Sequence, residues 1–261
     1  MRALLPMTAR FHLCLLMLLI VSVAPVRATE VTRIVAAADL RFAMDEILER
    51  YRLAYPQQSL EVLYGSSGRF RAQIEHGAPF DLYFSADIAY PEALHTAGLV
   101  HGEVIPYALG RIVLWSDRED ASALQLDDLT DARFRRIAIA NPRHAPYGAR
   151  AKEALQASGL WDALEPRLVY GENILHTLQL VQSGAAEIGI VALALAKSPL
   201  VAAEGDYQLI DDSLHQPLEQ GFVITRRAAD NTTAKAFADF VGSAESREIM
   251  QRFGFILPHE D

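Results

Sequence analysis

Short apolar runs and longer stretches with helical spacing alternate along most of the chain. Val31 to Ala37 is a short β-rich run, and the apolar residues from Leu40 to Tyr51 then recur on one helical face until Pro56 prevents continuation. Such alternation of strands and amphipathic helices is typical of a parallel sheet covered by helices. The pattern therefore predicts an α/β protein.

The alternation occurs twice, which predicts two α/β units. Strands are predicted at Val31 to Ala37, Leu60 to Tyr64, Leu82 to Phe84, Arg111 to Trp115, Arg136 to Ala140, Leu168 to Val169, Ile188 to Val191 and Gly221 to Ile224. Helices are predicted at Leu40 to Tyr51, Phe70 to His76, Gly148 to Ala157, Ile174 to Ser183, Thr232 to Val241 and Ala244 to Phe253. Because no low-complexity linker separates the units, we expect two chain crossings, near Tyr107 and near Gln220. Lobe 1 then comprises residues 29–106 and 221–261, and lobe 2 comprises residues 107–220.

The N-terminal segment has the features of a secretory signal peptide. Arg2 and Arg10 precede an apolar run from Phe11 to Val23, and small residues follow up to Ala28. A membrane anchor, the alternative, needs roughly 20 continuous apolar residues, and this run is shorter. We expect cleavage of residues 1–28 and release of the protein into the periplasm. The only cysteine, Cys14, is removed with this segment, so no disulfide is expected.

Composition and charge limit the kinds of molecule that the protein is expected to bind. Of the 261 residues, 51% are hydrophobic and 22% are charged, which is too apolar for a disordered chain. The 33 acidic residues outnumber the 24 lysines and arginines, and the formal net charge is -9. A nucleic-acid partner, which needs a broad basic face, is therefore not expected. A small anion held by local dipoles is compatible with this charge.

Four predicted strand-to-helix junctions carry the candidate chemistry. They are Ala37-Ala38-Asp39-Leu40, Gly65-Ser66-Ser67-Gly68, Ala145-Pro146-Tyr147-Gly148 and Gly171-Glu172-Asn173-Ile174. A helix N-terminus offers unpaired N–H groups and about half a unit of positive charge, and such ends converge at the carboxyl edge of a parallel sheet. Taken singly, Asp39, Ser67 and Asn173 are explained as helix caps. Recurrence in both units indicates an anion-binding cleft between two lobes.

The motifs around these junctions resemble those of the periplasmic molybdate-binding proteins of ABC transporters, and the resemblance covers nearly the whole chain after residue 28. The motifs are Ala36-Ala37-Ala38-Asp39-Leu40, Gly65-Ser66-Ser67-Gly68 with Gln73-Ile74, Gly77-Ala78-Pro79-Phe80-Asp81-Leu82-Tyr83-Phe84-Ser85-Ala86-Asp87, Asn141-Pro142-Arg143-His144-Ala145-Pro146-Tyr147-Gly148 with Ala151-Lys152-Glu153-Ala154-Leu155, Gly171-Glu172-Asn173-Ile174, and Glu187-Ile188-Gly189-Ile190-Val191.

The resemblance implies a two-lobed type II periplasmic binding protein, with a mainly parallel sheet flanked by helices in each lobe and two hinge crossings. Such a protein captures molybdate or tungstate and delivers it to a membrane permease; a monomer without a cofactor is expected. The family holds its dianion with serine hydroxyls and backbone N–H groups rather than a salt bridge. Carried over residue by residue, these donors are Ser67 and the backbone at Tyr147 and Ile174. No metal site is expected apart from the metal atom of the bound oxyanion itself.

Three positions depart from the family pattern. Asp39 stands where the family has a serine, Tyr147 replaces a small residue, and Ala192 replaces a tyrosine. A carboxylate beside a dianion is repulsive by several kcal/mol at a partly buried effective dielectric. Tyr147 is a candidate to supply the hydroxyl that Ala192 lacks.

Asp39 is the fourth candidate ligand-binding residue, and three interpretations are open. It caps its own helix; or it accepts a hydrogen bond from a ligand that carries a proton; or it faces a cation, either the ligand or a neighbouring arginine, Arg69 or Arg71. The second and third interpretations allow a different small ligand in the same fold.

Two further functional classes are the alternatives. A ligand-dependent sensor would have the same sequence features as a transport protein. An exported hydrolase is disfavoured, because the turn at Ser66 and Ser67 is not a Gly-x-Ser-x-Gly elbow and no metal-ligand spacing of histidines occurs. His144 and His176, near the lobe 2 junctions, are the candidate bases for that alternative. We expect a binding protein without enzymatic activity.

Overall fold

A computed structural model of the protein describes residues 31–258. The predicted signal peptide and Cys14 lie outside these residues. Within residues 31–258, no helix has both the length and the apolar character that a membrane crossing requires.

Ten strands and ten α-helices alternate along the chain. The strands are β1 (Thr32–Ala37), β2 (Leu60–Gly65), β3 (Leu82–Ser85), β4 (Val100–Gly110), β5 (Ile112–Ser116), β6 (Ile137–Ala140), β7 (Leu168–Gly171), β8 (Ile188–Ala192), β9 (Asp206–Leu209) and β10 (Leu218–Thr225). The helices are α1 (Arg41–Ala54), α2 (Ser67–Glu75), α3 (Ala89–Thr96), α4 (Pro146–Ala157), α5 (Trp161–Leu164), α6 (Ile174–Gln182), α7 (Leu193–Ala196), α8 (Pro199–Ala202), α9 (Thr232–Val241) and α10 (Ala244–Arg252). A 3₁₀ turn, Ala38–Leu40, joins β1 to α1. These counts refer to the described residues.

The strands form two five-stranded sheets, one in each lobe. Their orders are β2-β1-β3-β10-β4 and β7-β6-β8-β5-β9. In the first sheet β1 is parallel to β2 and β3, and only β10 runs against its neighbours. In the second sheet β6 is parallel to β7 and β8, and only β5 runs against its neighbours. The predicted fold class, two mainly parallel sheets flanked by helices, is confirmed.

The chain passes from the first sheet to the second at Arg111, between β4 and β5, and returns between β9 and β10. Tyr107 and Gln220 lie on β4 and β10, the strands that lead into and out of the second sheet. The Tyr107 hydroxyl donates a 2.6 Å hydrogen bond to Gln220 Oε1, and both side chains are buried. The two crossing strands are therefore linked by their side chains beside the hinge.

Two helices begin earlier than the sequence pattern predicts, and both differences bear on the site. Helix α2 starts at Ser67 rather than Phe70, because Ser66 has the extended conformation of a preceding cap residue. Helix α4 starts at Pro146 rather than Gly148, because proline is well suited to the first helical position. Ser67 and Tyr147 consequently lie in the first turns of their helices.

Six elements were not predicted: the strands β4 and β9 and the helices α3, α5, α7 and α8. Strands β4 and β9 are at sheet edges, where most residues are exposed or half-buried and the apolar pattern is weak. Strand β4 also contains Gly102 and Pro106, which normally indicate a loop; an edge strand tolerates proline because one side of it needs no hydrogen bonds.

Helix α1 fixes the position of the 3₁₀ turn in front of it. Its buried side chains include Met44 and Ile47, and at its last turn Tyr51 meets Phe237 of α9 edge-on, with 5.1 Å between the ring centroids. An aromatic pair of this geometry adds about 1 kcal/mol to the burial of the rings. The carboxyl end of β1, where the turn begins, is thereby held against a packed core.

Candidate functional site

All four predicted junctions line one cavity between the lobes. Its lining residues are Ala37, Ala38, Asp39, Gly65, Ser66, Ser67, Ala86, Ala145, Pro146, Tyr147, Asn173 and Ile174. The four candidate residues, Asp39, Ser67, Tyr147 and Ile174, are therefore brought together. The cavity volume is about 10 Å³, about what one water molecule requires. A tetrahedral oxyanion is larger, so its access requires the lobes to separate.

Asp39 lies in the 3₁₀ turn after β1 and is 1% exposed. Its Oδ2 accepts hydrogen bonds from Tyr147 Oη at 2.9 Å and from Gln220 Nε2 at 2.8 Å. Its Oδ1 is buried and has no hydrogen-bond partner in the described part of the chain. No side chain caps the 3₁₀ turn or α1, so the capping interpretation of Asp39 is wrong. The reason is tertiary: the carboxylate contacts donors from lobe 2 and from the hinge.

Burial sets the protonation of this carboxyl. Desolvation raises the pKa of Asp39 from 3.8 to about 6; the hydrogen bonds from Gln220 and Tyr147, and the nearby backbone N–H groups of Asp39 and Leu40, oppose the rise only in part. Burial likewise raises the pKa of Tyr147 and Tyr107 well above 10, and the negative charge of Asp39 adds to both shifts. Both phenols are therefore neutral donors at physiological pH.

Gly110, the last residue of β4, leaves the space in which Tyr147 and Gln220 reach Asp39. A Cβ atom at Gly110 would lie 2.3 Å from Tyr147 Oη and 2.6 Å from Gln220 Nε2. Gln220 Nε2 is itself 3.1 Å from Tyr147 Oη. The phenol of lobe 2 thus sits against the hinge strand only because that position has no side chain.

Ser67 is the first residue of α2 and is 1% exposed. Its Oγ accepts a 3.0 Å hydrogen bond from the N–H of Ala86, and its carbonyl accepts one of 2.8 Å from Tyr83 Oη. A hydroxyl that accepts one hydrogen bond still has its own hydrogen to donate. Ser67 is therefore held in place by the fold while its hydroxyl remains able to donate to an anion.

Lobe 2 contributes the first turns of two helices. Tyr147 is the second residue of α4, and Ile174 is the first residue of α6. N–H groups at these positions have no acceptor within their own helix. Asn173 caps α6 by accepting a 2.9 Å hydrogen bond from the N–H of His176, as its cap interpretation predicts.

Contacts across the cleft show that the lobes are closed. The N–H of Gly68 donates a 3.0 Å hydrogen bond to the carbonyl of His144, and Ser66 Oγ lies 2.9 Å from His144 Nδ1. Arg150 of lobe 2 is 3.5 Å from Asp87 of lobe 1. These partners are far apart in sequence, and no local pattern reveals them.

The neighbouring arginines do not neutralise Asp39. Arg69 pairs with Glu172 of lobe 2, and Arg71 pairs with Glu75 one turn along α2. The interpretation in which Arg69 or Arg71 faces Asp39 is therefore wrong. Both guanidiniums have a closer carboxylate at the protein surface, where a charge keeps its hydration.

The geometry does not resemble a hydrolase centre. The Ser66 hydroxyl donates to the carbonyl of His144, and His144 Nε2 has no partner in residues 31–258, whereas a catalytic triad needs an acid on the second ring nitrogen. The described residues also contain no group of three or more His, Cys, Asp or Glu side chains that could hold a metal ion.

Comparisons with known proteins agree with this architecture. The family model of bacterial extracellular solute-binding proteins matches residues 32–256. The molybdate-binding protein ModA of Rhodobacter capsulatus is 35% identical over 198 residues, 74% of this chain and 75% of that protein. ModA of Escherichia coli strain K12 is 30% identical over 235 residues, 85% of this chain and 87% of that protein.

The structure of the periplasmic molybdate-binding protein of Azotobacter vinelandii superposes with a TM-score of 0.82 at 30% identity, covering 87% of this chain and all of that one. The sulfate-binding protein SubI of Mycobacterium tuberculosis has a TM-score of 0.69 at 13% identity, with 86% of each chain covered, and shares the fold alone.

Proposed function

Because the chain belongs to the family of bacterial extracellular solute-binding proteins, we propose that it captures molybdate between its two lobes and delivers it to the permease of an ABC transporter. The protein is a transport binding protein and not an enzyme. It is located outside the cytoplasmic membrane. Within this proposal, residues 1–28 are a cleaved signal peptide, the mature protein is a periplasmic monomer, and the two lobes are joined at the chain crossings beside Tyr107 and Gln220.

One observation carries the proposal: hydrogen-bond donors from both lobes surround a single buried cavity. Ser67 contributes a hydroxyl from lobe 1, and the first turns of α4 and α6 contribute N–H groups at Tyr147 and Ile174 from lobe 2. Helix N-termini favour anions by their dipoles and their unpaired donors. The donors bind the oxygen atoms of the oxyanion and not its metal.

The phenol of Tyr147 lies beside this donor set. It is buried at the cavity and stays neutral, and its one O–H hydrogen is donated to Asp39 Oδ2. Tyr147 therefore acts on the ligand through Asp39 rather than as a direct replacement for the hydroxyl that Ala192 lacks. Tungstate has the same charge and tetrahedral shape as molybdate, and we expect it to bind in the same way.

Binding proceeds by hinge closure. The ligand first meets one lobe, and the second lobe closes when its helix ends gain contacts that exist only in the closed state. The contacts of Gly68 with His144 and of Arg69 with Glu172 form at that step. The permease is expected to recognise the closed form.

Calorimetric titration of the purified protein with molybdate, tungstate, sulfate and phosphate tests the function. We expect saturable heat and a raised melting temperature with the first two anions, because a ligand that binds only the folded state stabilises it. The Ser67→Ala variant should bind more weakly, whereas Ser183→Ala, at an exposed site after α6, should bind as the wild type does. Saturable binding of sulfate or phosphate with no response to molybdate would contradict the proposed ligand.

A further inference from the structure

Asp39 carries the only acidic side chain among the residues that line the cavity. Its two oxygens have different surroundings. Oδ2 is satisfied by the donors of Tyr147 and Gln220, whereas Oδ1 is buried and has no partner among residues 31–258. A buried polar atom without a partner is costly, and a ligand that supplies the partner is favoured. Oδ1 is therefore the atom at which Asp39 meets a bound oxyanion.

The groups on lobe 1 that pack near Asp39 supply no positive charge to it. On α1, Arg41 forms a 3.0 Å ion pair with Asp45, which also accepts a hydrogen bond from Tyr64 of β2. On the hinge strands, the nearby polar side chains are Tyr107 of β4 and Gln220 of β10, both uncharged.

The elements of lobe 2 that pack near Asp39 also place no charged side chain against it. Helix α7 has the sequence Leu-Ala-Leu-Ala, with no titratable group. On α6 the first titratable side chain is His176, whose Nδ1 accepts from the N–H of Glu172. On α4, Arg150 pairs with Asp87 and Glu153, which leaves the phenol of Tyr147 as the group that faces Asp39.

A dianion and an ionised Asp39 would repel each other strongly in this cavity, because both charges are out of water and no cation lies between them. Protonation reverses the interaction. A neutral carboxylic acid has an O–H group that donates to an oxyanion, while its other oxygen continues to accept from Tyr147 and Gln220. Two donors already occupy Oδ2, so the proton belongs on Oδ1.

We propose that molybdate binds together with one proton, which resides on Oδ1 of Asp39 and forms a hydrogen bond to an oxygen of the dianion. This inference rests on the proposed function and adds that the affinity of the site for molybdate depends on pH. The direction of the Asp39 pKa, raised to about 6 by burial, agrees with a proton that is easily taken up. A dianion beside the carboxyl raises this pKa further, so uptake accompanies binding at neutral and mildly alkaline pH.

The number of protons taken up per molybdate is measurable in the full mature protein. Titration with sodium molybdate at about pH 7.5, in two buffers of different ionisation enthalpy, should give an uptake close to one proton. The dissociation constant should rise about tenfold for each pH unit above the pKa of the free protein, between about pH 7 and about pH 9. Molybdate is fully ionised throughout this range.

The Asp39→Asn variant supplies the matched comparison. An amide can accept through its oxygen from Tyr147 and Gln220 and donate through its nitrogen in place of the protonated Oδ1. We expect this variant to bind molybdate without proton uptake and without pH dependence, and at about pH 8 to bind more tightly than the wild type by about tenfold or more. Asp45→Asn, which removes a half-exposed carboxyl from α1, should retain the wild-type proton uptake.

The outcomes separate the two proposals. Wild-type binding of molybdate with no proton uptake and a flat pH profile overturns the inference and leaves the proposed function standing. A wild-type protein that binds no molybdate between about pH 5 and about pH 9 overturns the proposed function, and the inference with it. An Asp39→Asn protein that melts cooperatively yet binds no molybdate overturns the role of Oδ1 as a donor. The wild-type titration decides the proton count even if the variant does not fold.

Discussion

Tyr147 and Asp39, both departures from the family pattern, are hydrogen-bond partners across the cleft, with 2.9 Å between Tyr147 Oη and Asp39 Oδ2. Each residue considered alone is difficult to reconcile with an anion site, because one adds charge and the other adds bulk. Together they form a neutral donor and its acceptor, one from each lobe. The pair thus links the chemistry of the site to the closed state of the protein.

Removal of the phenolic hydroxyl tests this pairing. In Tyr147→Phe, Asp39 Oδ2 retains only the donor of Gln220, so the carboxyl that faces the ligand is held in place less firmly. We expect molybdate affinity to fall about tenfold, the equivalent of about 1.4 kcal/mol. Calorimetric titration measures the change, and Tyr170→Phe, at a partly exposed position on β7, is the control. An affinity equal to that of the wild type would show that the hydroxyl contributes nothing to binding.

Asp39 also makes the stability of the ligand-free protein depend on pH. Its folded-state pKa of about 6 is above the ordinary 3.8, so the folded state binds the proton more tightly than the unfolded state does. Stability attributable to this group is therefore greatest below about pH 4 and is lost as the pH rises to about 6, and the total loss is about 3 kcal/mol.

Urea unfolding of wild type and Asp39→Asn across this range isolates the effect. The free energy of unfolding of the variant, relative to the wild type, should increase between about pH 4 and about pH 6 and then level off. If the difference between the two proteins is the same at every pH, the carboxyl does not titrate as its burial indicates.

The sequence could identify the junctions but not the partners of their side chains. The alternation of apolar runs located β1, β2, β6 and β7 and the helices that follow them, because strand and helix periodicities are local. Asp39 and Gln220 are 181 residues apart, and Asp39 and Tyr147 are 108 apart, so the network that overrides capping is a tertiary effect. The contacts made by Gln220, by Ser66 and by the carbonyl of His144 could not be predicted for the same reason, although all three residues lie in or near segments that the sequence had indicated.

Closure of the lobes can be tested at Gly68. A Cβ atom there would lie 2.7 Å from the carbonyl oxygen of His144, to which the Gly68 N–H donates, so Gly68→Ala should hold the lobes apart. We expect the variant to fold normally but to bind molybdate at least tenfold more weakly, and its radius of gyration in small-angle scattering should not decrease with ligand. Gly242→Ala, where a Cβ meets only an ordinary contact at 3.4 Å, serves as the control. Unimpaired compaction of Gly68→Ala would refute the close-approach explanation.

The ion pair between Arg69 and Glu172 should contribute little. Both side chains are more than half exposed, and exposed pairs are worth at most about 1 kcal/mol. In a double-mutant cycle with Arg69→Gln and Glu172→Gln, we expect a coupling in molybdate affinity below about fivefold that disappears at high salt. A larger coupling that resists salt would assign the pair a part in the site itself.

A crystal structure of the protein grown with molybdate tests the central claim most directly, because the anomalous signal locates the metal atom of the ligand. We expect one strong peak between the lobes, with oxyanion oxygens within hydrogen-bond distance of Ser67 Oγ and of the backbone N–H groups of Tyr147 and Ile174. A peak elsewhere on the protein, or an ordered crystal without a peak at the cleft under saturating molybdate, would contradict it.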